Sequence, residues 1–232
     1  MKNFRLSSQT YNKYKHWLLL LYFPIYLLWF AFLENNVTSH FHVIHMEIDD
    51  YIPFCEFFIV PYLLWFGYIA ASIFYMGIHD KKEYYNMCAF LFTGMTIFLI
   101  VSTIYPNGHY LRPMNFERDN IFTQLCGWLY QTDTATNLFP SIHVYNSIGV
   151  HLAIAKSEKI RQNYPLRICS GILMISIILA TVFLKQHSVF DVITGLFTAF
   201  IVYQFVYAKA WKTTTVSVRN PHHRIRSTKK AA

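Results

Sequence analysis

Three short segments carry ionisable side chains at spacings that suit phosphoryl chemistry. In Lys185-Gln186-His187-Ser188-Val189-Phe190-Asp191, the four-residue separation puts His187 and Asp191 on one helix face. A carboxylate that accepts one imidazole N–H fixes the tautomer and leaves the other ring nitrogen free to attack. The pair therefore reads as a nucleophile with its orienter, the competing reading being a polar pair that anchors a helix end. Lys185 beside it offers a cation for a phosphate, or only snorkels.

The segment Asn137-Leu138-Phe139-Pro140-Ser141-Ile142-His143 places Pro140 where a helix begins. Unsatisfied backbone N–H groups at a helix start attract anions. Ser141 adds a hydroxyl donor and His143 a titratable proton, the elements of an oxyanion site and a general acid. Alternatively, Asn137 or Ser141 caps the helix and His143 is an interfacial histidine. The third segment, Leu111-Arg112-Pro113, offers the planar donor fork of Arg112 to phosphate oxygens, or an ion pair with Glu117 or Asp119. His151, eight residues after His143, reads as a buried structural histidine. His40, His42 and His45 match no common zinc spacing. One paired carboxylate is too few oxygens for a magnesium cage, so neither metal nor other cofactor is expected.

These segments have to be positioned by helices in a membrane. Hydrophobic residues make up 54% and aromatic residues 19% of the 232, against 14% charged, a balance that excludes an ordinary soluble domain. Residues 57–78 and 87–104 run without a charge for 22 and 18 residues, enough to cross about 30 Å of hydrocarbon. Residues 17–33, 168–184 and 188–208 read similarly, and 140–155 is a shorter candidate that carries two histidines. The expected fold is all-α: a polytopic bundle of six transmembrane helices. It divides into an amino tail 1–16, a membrane domain 17–208 with its chemistry in about 105–208, and a basic tail 209–232. The first span has no cleavage site behind it and reads as an anchor rather than a removable leader.

The net charge of +8 does not point to nucleic acid once the spans are laid down. Seventeen of the 20 Lys and Arg fall in the two tails and two alternate loops, leaving Arg112, Arg118 and Lys185 on the other side. The positive-inside rule then puts both termini in the cytoplasm and the three segments outside. The expected location is the cytoplasmic membrane of a bacterium, with the bilayer and a membrane lipid as partners and the oligomeric state open. The basic tail also suits anionic headgroups, or serves only as an orientation signal. Cys55 and Cys126 are both external, one conceivable disulfide. The external loop 105–139 is too long for a mere connector and is expected to carry function.

Taken together and in order, Arg112-Pro113, Pro140-Ser141-Ile142-His143 and His187 with Asp191 resemble the three signature motifs of the type 2 phosphatidic acid phosphatase superfamily. The resemblance covers about 105–208 and the six-span layout. It implies that His187 takes the phosphoryl group as a phosphohistidine, Asp191 orients it and His143 protonates the leaving oxygen. Arg112, Ser141 and Lys185 would hold phosphate. The chain departs from the pattern at Tyr105, where the family has Lys, at Ile142, where it has Gly, and at Ala180-Thr181, where it has Ser-Arg. Such relaxed motifs look similar to the sphingomyelin-synthase and inositol-phosphorylceramide-synthase branch, in which a lipid alcohol replaces water. The implied activity is metal-free hydrolysis of a phosphatidate-like or isoprenyl diphosphate lipid. Its alternatives are headgroup transfer and a non-catalytic, lipid-binding descendant.

Overall fold

The computed structural model describes residues 13–37 and 40–208. The basic tail from Lys209 and the cations Lys2 and Arg5 lie outside the described residues. The described chain is mostly helical. α1 (Lys15–Asn36), α3 (Glu56–His79), α4 (Lys81–Ile104), α7 (Tyr164–Phe183) and α8 (Val189–Tyr207) are long and apolar enough to cross a membrane. Between them lie a one-turn α2 (Glu47–Tyr51), α5 (Ile121–Thr132) and α6 (Ile142–Lys156).

α6 is the sixth expected span, and at 15 residues it falls short of the length the other five reach. It sits in the middle of the bundle, against α3, α4, α7 and α8. That position explains its composition. Asn146 and Ser147 are buried, Ser147 Oγ donating to the His143 carbonyl one turn back in the same helix, and His151 Nδ1 lies 3.0 Å from Ser170 Oγ of α7. Small residues let its neighbours close in, as is usual between membrane helices. A Cβ on Gly94 of α4 would collide with the Tyr145 ring, and one on Gly195 of α8 would come within 2.9 Å of the Ser141 carbonyl. The second contact matters most, because it draws the start of α8 against the start of α6.

Two expectations for the connecting segments need correction. The segment 105–139 contains a helix, α5, started by Asn120, whose side chain accepts from Phe122 N and Thr123 N. Pro140 does not occupy the first helical turn: the helix begins at Ile142, with Ser141 as its cap. Around α5, β1 (His42–Val43) pairs in parallel with β2 (Asn107–Gly108), tying the segment after α1 to the one after α4. All four cysteines are free, and Cys126 Sγ faces the Glu56 carbonyl. Cys55 and Cys126, the one conceivable pair, are therefore not joined.

Candidate active site

The chain turns back between α7 and α8 over Lys185, Gln186 and His187. Lys185 adopts a left-handed backbone (φ 53°), a conformation that a non-glycine residue holds only when its surroundings enforce it. Its ammonium donates to the Asp49 carbonyl at 2.6 Å. Gln186 N and His187 N both donate to the Thr181 carbonyl, which directs their side chains inward. Ser188 caps α8, and Asp191 closes the capping box by accepting from Ser188 N at 3.0 Å.

The same Asp191 oxygen lies 3.3 Å from His187 Nδ1, while His187 Nε2 lies 3.4 Å from His143 Nδ1. Three of the expected site residues thus form one chain, Asp191 to His187 to His143, across the junction of α8 and α6. His187 is 5% exposed and Asp191 fully buried. The His143 ring is stacked against Tyr62 at 4.6 Å and meets Trp65 at a tilt, 4.3 Å between centroids. Burial, reinforced by the nearby Arg112 charge, pushes the His187 pKa down to about 3 against an opposing backbone hydrogen bond to Leu138. The imidazole is therefore neutral at pH 7, the form that attacks.

The expected phosphate holders are less available. Arg112 lies in the site, but its terminal nitrogens donate to the carbonyls of Tyr130, Asp133 and Thr134 and to Gln186 Oε1. Lys185 points at Asp49. The Ser141 hydroxyl accepts from Val144 N at 3.5 Å, and Ser141 N donates to the Asp191 carbonyl. Ser141 therefore serves as the cap that the alternative reading gave it, and it also joins α6 to α8. Where the motifs lack their usual cations, Tyr105 stacks on His42 at 4.1 Å and Thr181 contributes its backbone carbonyl. Of the loop histidines, His45 pairs with Asp50 at 2.9 Å, and among the described residues no group of His, Cys, Asp or Glu is arranged to hold a metal.

Several residues that the sequence did not single out complete the site. His109 is buried, with Nε2 2.9 Å from the Gln186 carbonyl and Nδ1 accepting from Leu111 N. Burial pushes its pKa down to about 4. Asp49 accepts from the Ser188 hydroxyl, Val189 N and Met46 N, so a carboxylate from α2 sits on the start of α8. Burial likewise raises Asp133 to about 6, with Arg112 opposing.

From His143 an apolar cavity of about 690 Å³ runs between α1, α3, α4 and α5. Ile142, His143, Asn146 and Asp133 line its upper part, and Leu20, Phe23, Ala70 and Phe74 lie farther along it. The surface that His143 leaves uncovered by its neighbours thus faces hydrocarbon-like walls. The site thus sets His143 and Asp133 at the edge of an apolar space.

The chain matches no protein-family model, no curated protein and no solved structure.

Proposed function

We propose that this chain is a multi-pass membrane enzyme of the type 2 phosphatidic acid phosphatase superfamily, removing phosphate from a lipid phosphomonoester or diphosphate through a phosphohistidine. The observation that carries the reading is the chain Asp191 to His187 to His143, with separations of 3.3 and 3.4 Å. His187 Nε2 attacks phosphorus while the bond to the lipid oxygen breaks, and that oxygen leaves with a proton from His143. Water, giving its proton back to His143, then attacks the phosphoryl group. The N–P bond breaks and phosphate departs. Reacting atoms meet at about 3 Å, so the incoming phosphoryl group parts the two rings, which stand too close to hold phosphorus between them.

The lipid chain lies in the apolar cavity beside His143. In this reading α6 is the sixth span, shortened because protein rather than lipid surrounds it. Both termini are cytoplasmic, the histidines face outward, and the membrane is the cytoplasmic membrane of a bacterium. The distribution of Lys and Arg supports that orientation.

One observation favours a second reading, transfer to a lipid alcohol. His187 is 5% exposed, and the open space beside His143 is apolar, so an alcohol borne on a lipid reaches the phosphohistidine more readily than bulk water does. The experiment is phosphate release from phosphatidate and from undecaprenyl diphosphate in detergent with EDTA, for the native chain and for His187→Ala. Release by the native chain alone supports hydrolysis. Release by neither, with labelled phosphate passing to an added lipid alcohol, supports transfer, and neither activity removes the enzymatic reading.

A further inference from the structure

The polar groups around His187 include two donors that meet no acceptor. Gln186 is 1% exposed. Its Oε1 accepts from Arg112 Nη2 at 2.5 Å, and its backbone carbonyl lies 2.9 Å from His109 Nε2. Its amide Nε2 has no partner, and neither has Arg112 Nε. The amide orientation follows from the arginine, since turning it over would set an NH2 group against the guanidinium. The unmatched donors therefore belong to two side chains bonded to each other, one of them adjacent in sequence to the nucleophile.

A buried N–H without an acceptor is expensive to maintain, and a protein keeps such a group where a ligand supplies the missing oxygen. Two of them beside a nucleophilic histidine call for an oxygen-rich anion. Resting on the reading of this site as a phosphoryl site, in which Arg112 is already expected to hold phosphate, we propose that Gln186 Nε2 is a further donor to a non-bridging oxygen of the phosphoryl group that His187 receives, beside the free Nε of Arg112. Gln186 then supplies, as a neutral donor, part of what the cations absent at Tyr105 and Thr181 supply in the resembling motifs. The terminal nitrogens of Arg112, bonded to carbonyls, keep the guanidinium in place while its Nε edge binds.

The decisive variant is Gln186→Glu. It keeps the shape and the oxygen that Arg112 Nη2 requires, but replaces the donor with a charged acceptor. A residue that merely braces Arg112 tolerates this change, because an ion pair replaces a hydrogen bond. A phosphate-holding residue does not, and kcat/KM for phosphatidate in mixed micelles is expected to fall at least about 100-fold, the scale of losing one charge-stabilising donor, while Tm holds or rises. Activity within about threefold of native overturns the assignment and leaves the reaction untouched. A native chain that neither turns over phosphatidate nor gains Tm from inorganic phosphate overturns the phosphoryl-site reading, and this inference with it. Should the Glu variant not fold, Gln186→Met is read instead by the Tm gain in inorganic phosphate. That gain is expected to vanish, and a gain equal to the native one overturns the proposal.

Discussion

The two ends of the bundle treat charge in opposite ways. At the end that carries the histidines, charged side chains are built into the structure: Arg112 spans three backbone carbonyls, Lys185 reaches the Asp49 carbonyl, and the Asp49 carboxylate caps α8. At the other end most charges lie on the surface, the exception being Glu83 of α4, which is 5% exposed. Lys82 and Glu158 stand 3.9 Å apart with side chains 68% and 74% exposed, and the Lys156 ammonium rests over the Tyr203 and Tyr207 rings. Exposed ions cost little to keep, and their partnerships contribute little. Buried ones are retained only where each has a partner or a use. The contrast separates charges left to solvent from charges that hold segments of the chain together.

Four measurements sharpen or break this contrast. The largest effect is expected from His187→Ala, which should lower lipid-phosphate turnover at least about 1,000-fold with a Tm close to native. Retained turnover would remove His187 from the chemistry. Next, Asp49→Ala strips the acceptor from the Ser188 hydroxyl and Val189 N and should destabilise by about 2–4 kcal/mol, a Tm loss of roughly 5–15 °C. A Tm within 1 °C of native would mean that the α8 cap contributes nothing.

A smaller effect is expected from pH. His187 and His109 have folded pKa values near 3 and 4, below the unfolded value of about 6.5. The unfolded chain therefore binds more protons in this interval, and their contribution to stability is lost as pH falls from about 6.5 toward 4. Asp133, raised to about 6, acts in the opposite direction between about 4 and 6. Two histidines outweigh one carboxylate, so Tm should drop by about 5 °C over that range, and His109→Gln should flatten the slope. A Tm that rises on acidification would contradict the burial of these rings. The smallest effect belongs to Lys82→Ala, with a Tm change under about 1 °C; a larger one would erase the distinction between the two ends.

The helices were legible because apolar runs of membrane length leave few alternatives, and the five long spans lie close to where hydropathy alone puts them. α6 was harder. Its Asn146, Ser147 and His151 dilute the apolar signal because they face other helices instead of lipid. α5 escaped notice in a polar segment whose start rests on one capping Asn120. Within the site, the pairing of His187 with Asp191 followed from their four-residue spacing, although His187 stands just before the cap of α8 and not on the helix as expected, and the approach of His143 followed from motif order. The protein contacts of Arg112, Ser141 and Lys185 were not legible, since each is set by groups distant in sequence. Asp49 lay in an acidic loop with nothing to distinguish it from its neighbours. Gln186 is found by asking which polar residue stands next to the nucleophile and lacks a charge.

The contact between Asp49 and α8 also has a consequence for how the chain is made. The carboxylate appears early, and its partners Ser188 and Val189 follow 139 and 140 residues later. Synthesis runs from the amino end, so during most of translation this carboxylate precedes the helix that it will meet. The arrival of α8 satisfies it, brings Asp191 to His187 and draws Ser141 against Gly195 in a single event. Until α8 is made, the chain holds four of its five long apolar helices, and the Asp49 carboxylate keeps only its local bond from Met46 N.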